Sequence, residues 1–232
     1  MPPKRVERLE TGSQPIDKLL DGGIEKGIIT NVFGESGSGK TNFCVQAAAK
    51  VAVDGGRVAY IDTEKGFSAE RFIQIAGEEA LQQLSVLEPV DFEEQESAIE
   101  QLKTLTEDKE IDLVIVDSLV SLYRLQANGE KAKDLNQRLS QQMSELSKIA
   151  RQENIPILVT NQVYSSFDED GIELVGRDVP RYWSKCLLKL SEQGQSVRKA
   201  EIEKHRSMPE GKSRQFKIAN DGLVKPDKKG LF

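Results

Sequence analysis

The segment VFGESGSGKTNF, residues 32–43, constrains this chain more than any other. Gly34-Glu35-Ser36-Gly37-Ser38-Gly39-Lys40-Thr41 satisfies the pattern G-x-x-x-x-G-K-[ST] at each specified position, with an apolar strand-like run before it and an alanine-rich helical run after it. A strand, a glycine turn and a helix in that order bring backbone N–H groups and the positive end of a helix to one point, where phosphate oxygens are bound. The glycines let the backbone wrap, Lys40 supplies a point charge, and Thr41 offers a hydroxyl to Mg2+. With Asn42 in the first helical turn, residues 34–42 form the expected binding segment, with ATP and Mg2+ as cofactors.

The rest of the chain supplies the scaffold such a loop needs. β-branched runs at 27–33, 57–62, 84–89, 112–117 and 155–160 alternate with helical patterns from Lys40 to Val53, from Ser68, near 93–107 and near 131–152. Continuous apolar strands with helical crossovers imply an α/β fold: a mostly parallel twisted sheet covered by helices on both faces. After Thr160 the pattern changes. Strand-like segments near 182–191, 196–206 and 214–219 follow one another without a helix, which predicts antiparallel strands added at the C-terminal edge. A length of 232 residues suits one domain, 1–232, with residues 1–10 as a short N-terminal extension.

A triphosphate brings its own metal, so a carboxylate is expected at the end of a neighbouring buried strand to hold Mg2+ through water, and Asp117 closes LVIVDS. Hydrolysis also needs a group to orient and deprotonate water. YIDTEKGF, residues 60–67, offers Asp62 and Glu64, and the residues themselves do not choose between them. Two further stretches, 124–134 and 165–180, follow strands at the edge where open sheets bind ligands.

Composition narrows the remaining classes. No apolar run approaches the roughly 20 residues of a membrane-spanning helix, so no membrane partner is expected and a cytoplasmic location is. Cys44 and Cys186 stand alone, without metal or redox spacing, and read as reduced core thiols. The net charge of −6 hides an asymmetry: residues 1–176 hold 18 Lys/Arg against 31 Asp/Glu, and residues 177–232 hold 14 against 7. A basic last third in an acidic chain fits either a polyanion footprint or a solvated strand face.

From TGSQPIDKLLDGGIEKGIITNVFGESGSGKTNF through YIDTEKGFSAERF, LVIVDSLVSLYR and ILVTNQV, residues 11–224 resemble the ATPase core of the RecA/RadA recombinases. EKHRSMPEGKS, 203–213, is similar to a segment of a core-only archaeal branch of that family. The resemblance implies a RecA-like P-loop NTPase core without the N-terminal helical DNA-binding domain or the Phe-x-x-Ala tether of full-length relatives. It implies that Glu64 activates the attacking water, although Lys65 stands where the family has glycine. It also implies that Arg71 stacks on adenine, and that Gln162 senses the γ-phosphate and couples it to the second DNA loop. Lys204 and Arg206, at alternating strand positions with His205 facing away, are expected to reach a neighbouring subunit's triphosphate.

In the family the two loops contact DNA. Here their cations are Arg124, Lys131 and Lys133 in the first and Arg177 and Arg181 in the second, with Tyr123, Phe167 and Tyr182 as candidates for base stacking. So few cations predict weak, salt-sensitive, sequence-independent binding of single-stranded or branched DNA. The expected function is therefore an accessory of DNA repair and homologous recombination: an ATP-binding protein with weak hydrolysis and little strand exchange. Its expected partners are DNA, a RadA-type recombinase, a junction nuclease and further copies of itself. The alternatives are a competent DNA-dependent recombinase, a module in which ATP acts only as a switch, and a KaiC-like single-domain ATPase.

Overall fold

A computed structural model of the chain describes residues 6–109, 111–126, 132–165, 172–174, 178–194 and 196–226. The strands are β1 Arg8–Leu9, β2 Ile24–Glu25, β3 Ile29–Gly34, β4 Arg57–Asp62, β5 Leu84–Leu87, β6 Ile111–Asp117, β7 Ile157–Ser165, β8 Ile172–Leu174, β9 Cys186–Glu192, β10 Val197–His205, β11 Ser213–Ala219 and β12 Gly222–Val224. The helices are α1 Gln14–Leu19, α2 Lys40–Val53, α3 Ala69–Ala76, α4 Phe92–Lys109, α5 Ser121–Gln126, α6 Ala132–Glu153 and α7 Asp178–Trp183.

The main sheet runs β12-β11-β10-β9-β3-β7-β6-β4-β5, with β8 paired to β7 and a separate β1-β2 ribbon. Strands β5, β4, β6, β7, β3 and β9 are parallel, and β10, β11 and β12 continue the edge antiparallel. This is the expected fold class. Its parallel strands are apolar on both sides because both sides are covered: β3 is buried throughout, and only Asp112 of β6 is partly exposed. On one face, Phe43, Val45, Ala47 and Ala48 of α2 join Tyr60, Phe72 and Phe216 in one core. On the other, Ile99 and Leu102 of α4 and Leu139, Met143 and Leu146 of α6 pack over Val114, Val116 and Val159. Cys44 and Cys186 are buried free thiols within the first core.

A close approach pins the antiparallel edge to α2. Gly222 has φ +112 and lies so near Gln46 that any Cβ would collide with its side chain, while Gln46 Oε1 accepts the Leu223 N–H at 2.9 Å. The end of the sheet richest in basic residues is thereby fixed to the helix that leaves the phosphate loop.

Three expectations need correction. The strand expected from 182 starts at Cys186, because 178–183 is helical. Ser184 N–H and Oγ both bond the Pro180 carbonyl, and the Trp183 indole donates to Ser140 Oγ on α6 at 3.1 Å, which docks the helix through Trp183. The loop expected at 124–134 is helical at both ends, α5 and α6, with Lys131 outside the described residues. Phe167 and Arg177 of the second loop also lie outside them. Tyr123, a candidate for base stacking, is buried in α5: its hydroxyl donates to Asn136 Oδ1 at 3.0 Å and its ring meets Phe92 edge-on. Tyr182, in contrast, is 72% exposed.

Candidate nucleotide site

The phosphate loop joins β3 to α2, with Gly37 at φ +78 and Gly39 at φ +101, backbone that glycine adopts without strain. It walls a pocket of about 340 Å3 lined by Ser36, Gly37, Gly39, Lys40, Thr41 and Asn42, with Glu64, Asp117 and Gln162 entering from three other strand ends. Glu35 contributes its carbonyl. Lys40 Nζ donates to Gly34 O at 3.0 Å and Glu35 O at 2.9 Å, so its charge lies along the inner rim of the loop. Burial lowers the Lys40 ammonium below its ordinary pKa, and the carboxylates of Asp117 and Glu64 partly offset this.

Asp117, at the end of β6, is buried under three hydroxyls. It accepts hydrogen bonds from Tyr60 at 2.9 Å and from Thr160, with the Thr41 hydroxyl beside it. Burial pushes its carboxyl above the usual range, the three donors pull it back, and Glu64 adds to the rise. Asp62 is also buried at a strand end, but its oxygens accept the N–H groups of Glu64, Gly66 and Phe67 at 3.2, 3.1 and 2.8 Å. Asp62 therefore shapes the 63–67 turn, and Glu64 is the carboxylate left facing the pocket. Lys65, where the family has glycine, adopts φ +53, so the turn keeps the left-handed backbone with a side chain added.

Glu64 Oε1 accepts from Ser118 Oγ at 2.7 Å and Gln162 Nε2 at 3.0 Å, and Gln162 Oε1 accepts from Arg124 at 3.0 Å. A chain of polar contacts thus runs from the pocket wall to α5, at the start of the first expected DNA loop. Ser118, Arg124 and, most of all, Arg198 were absent from the sequence reading of this pocket. Arg198, at the start of β10, donates Nε–H to the Gly37 carbonyl at 3.2 Å, and with Ile218 of β11 it closes the pocket's outer side. The signal in the sequence was weak, because an arginine in a basic edge strand reads as solvated. Only the pairing Arg198↔Phe216 beside Gly37 brings it to the loop. Arg71 stands farther along, where its guanidinium donates to the carbonyls of Ala219 and Asn220 and so joins α3 to the β11–β12 turn.

Lys204 and Arg206 are not in this pocket. β10 begins beside Gly37 and runs away from it, so Lys204 lies six residues beyond Arg198, roughly 20 Å at strand spacing. Nor do the two cations share a side. A register shift between Ile202 and Lys204 and the strand's end at His205 break the alternation. Lys204 Nζ caps α7, donating to Arg181 O at 2.8 Å and Ser184 O at 3.0 Å, whereas Arg206 pairs with the buried carboxylate of Glu25. His205, whose side chain is 2% exposed, meets the same carboxylate at 3.6 Å. Burial and the nearby Arg8 lower its pKa, and its Nδ1 accepts the Ser207 N–H, so the neutral ring presents Nε2–H to Glu25.

The donor set suits a magnesium-bound polyphosphate. The Thr41 hydroxyl and Asp117 carboxylate touch, as residues sharing a water shell of one Mg2+ must, and Lys40 stands at the rim with only carbonyl partners. The Ser38 hydroxyl is buried in the loop with no hydrogen-bond partner. Among the described residues no group of three or more His, Cys, Asp or Glu is placed to hold a metal ion. Nor is any of their helices long and apolar enough to cross a membrane.

Comparison with known proteins agrees with this geometry. The Rad51 family model matches residues 3–226. The DNA repair and recombination protein RadB of Methanococcoides burtonii is 40% identical over 221 residues, covering 94% of this chain and 97% of its own. The protein of the same name from Methanococcus maripaludis is 43% identical over 213 residues, 90% of this chain and 96% of that one. A crystal structure of the RadB recombinase superposes with a TM-score of 0.81 at 36% identity, over 94% of this chain and all of the other. Proteins of the family generally use ATP and Mg2+. The chain belongs to the Rad51 family, in its archaeal RadB group.

Proposed function

We propose that this protein serves DNA repair and homologous recombination as an ATP-binding accessory that hydrolyses its nucleotide slowly, binds DNA and exchanges strands little or not at all. It acts in the cytoplasm with a RadA-type recombinase or a junction nuclease. The observation that carries this reading is the contrast between the two ends of β10. The Lys40, Thr41, Asp117 and Glu64 side chains meet in one pocket, while Lys204 and Arg206 are held about 20 Å away by contacts within their own subunit.

The loop amides and Lys40 would hold the phosphates, and Thr41 and Asp117 would hold Mg2+. Mg2+ bound with ATP would polarise the phosphate oxygens. Asn42 stands beside the inner phosphates, and Arg71 with the Ala219–Asn220 turn and Ile218 frames the base. Glu64 orients and deprotonates water: its two contacts fall on Oε1, leaving Oε2 for the proton. Gln162 reports the state of the pocket to Arg124 and the first loop. Without a neighbour's cations the developing charge goes uncompensated, a deficit of about 10³-fold or more in comparable phosphoryl transfers.

A second reading is a competent recombinase working as an assembly, in which Lys204 and Arg206, far from their own loop, exchange these internal contacts for a neighbour's triphosphate. Measuring ATP turnover with and without single-stranded DNA tests both. Slow turnover with little stimulation supports the accessory. Strong stimulation supports the recombinase, and absence of ATP binding removes both.

A further inference from the structure

On the C-terminal edge of the sheet, α1 and the first half of β11 enclose a cleft of about 420 Å3 that shares no lining residue with the nucleotide pocket. Three cations converge on it, Lys18 from α1, Arg214 from β11 and Lys225 from the segment after β12, together with the donors Gln14, Ser213 and Gln215. Among the described residues no carboxylate lines it, although the chain carries a net charge of −6. The nearby Asp17 is turned away, accepting the N–H and O–H of Thr11 at 2.8 and 2.7 Å.

The three cations differ from several others of this chain. Lys50, Arg138, Lys148, Lys189 and Lys199 all pair with carboxylates. Lys18, Arg214 and Lys225 are exposed, and among the described residues no hydrogen bond or ion pair engages them. Among the described residues the strand edge is open as well: β12 pairs with β11 only from Lys217 to Ala219, and no described strand pairs with the outer edge at Ser213–Gln215. Like-charged side chains gathered around a concavity repel one another unless an anion joins them. The lining also indicates which anion. Among the described residues its only apolar side chains are Pro15 and Pro226, so these offer a protein partner no aromatic or aliphatic anchor. Lysine, arginine, amide and hydroxyl donors are the groups that hold phosphodiester oxygens.

We propose that this cleft binds successive backbone phosphates of a DNA strand, one at each of its three cations, contacts additional to the two loops. The proposal rests on the DNA-binding part of the reading above. It assigns part of the basic last third of the chain to a defined site and explains how a protein with few loop cations engages a polyanion.

The test is a salt series of binding to a fluorescein-labelled oligothymidylate, comparing the wild-type chain with the Lys18→Ala/Arg214→Ala/Lys225→Ala variant. Each phosphate contact contributes about 0.7 to the slope of log affinity against log salt for single strands, so loss of three lowers the slope by roughly 2. ATP affinity stays unchanged, and Lys148→Ala leaves the slope alone. If the triple variant melts early, Lys18→Ala and Lys225→Ala singly each lower the slope by about 0.7. An unchanged slope in a variant that still binds DNA overturns the cleft and leaves the broader reading standing. Failure of the wild type to bind DNA overturns both. Loss of polyglutamate binding with DNA affinity intact overturns the phosphate assignment in favour of an acidic peptide.

Discussion

Replacing Tyr60 by Phe probes the buried carboxylate on which the metal assignment depends. The ring is fully buried and packs against Phe67 at 5.2 Å between centroids, a contact that Phe preserves. What is lost is the hydroxyl donated to Asp117 Oδ2 at 2.9 Å. Burial pushes the Tyr60 phenol well above its ordinary pKa, so it is a donor throughout the neutral range. A hydrogen bond to a charged acceptor contributes about 1.5–3 kcal/mol, and at about 2 kcal/mol a domain of this size loses roughly 4–8 °C in melting temperature.

The deficit depends on pH with a defined sign. Burial already raises the folded pKa of Asp117 above that of a free carboxyl, so its ionisation lowers stability as pH rises through the folded value. Removing a donor raises that pKa further. The variant is therefore weakest at neutral pH, and the gap narrows below about pH 4 as the carboxyl becomes protonated in both folded and unfolded chains. Differential scanning calorimetry at pH 7.5 and pH 4 measures both values. A Tyr60→Phe melting temperature within 1 °C (about 0.4 kcal/mol) of wild type at pH 7.5 would refute a load on an ionised Asp117.

Two further outcomes follow from the pocket and from β10. Glu64→Gln keeps the size and both neighbours of the side chain but cannot take a proton, so ATP affinity stays within about threefold while turnover drops by about 10²-fold or more; equal turnover in a single-turnover assay would remove Glu64 from the chemistry. If Arg206 serves a neighbouring subunit, Lys40→Ala and Arg206→Ala chains are each inactive alone. Mixed in equal amounts they regain activity at roughly a quarter of interfaces by random pairing, and a mixture as inert as its components places no cation in trans.

Much of this architecture was legible because its parallel strands are buried on both faces. IITNVFG and LVIVD read as continuous apolar runs since helices cover each side of them, and the helix from Lys40 to Val53 had sequence limits that the structure matches. The antiparallel edge was harder. α7 combines Val179, Tyr182 and Trp183, residues that favour strands, and it is helical because Trp183 docks on α6 and Lys204 caps its last carbonyls. Those contacts lie 20 or more residues apart in sequence, where no local pattern carries them.

The candidate site divides in the same way. Residues 34–42 and Asp117 follow from a contiguous motif and a strand end, whereas the family resemblance alone chose Glu64 over Asp62, and the three N–H groups that occupy Asp62 supply the physical reason. Arg198 enters the pocket through strand register, and a bulge diverts Lys204 and Arg206 to separate partners. Periodicity assumes an unbroken strand, and β10 is not one.

Isothermal titration of the wild-type chain and of Lys40→Ala with ATP in the presence of Mg2+ tests the central assignment most directly. Binding at one nucleotide per chain in the wild type, lost in a variant whose melting temperature is unchanged, is the predicted result. No heat from the wild type, or equal affinity in the two chains, would contradict the assignment of nucleotide to this loop.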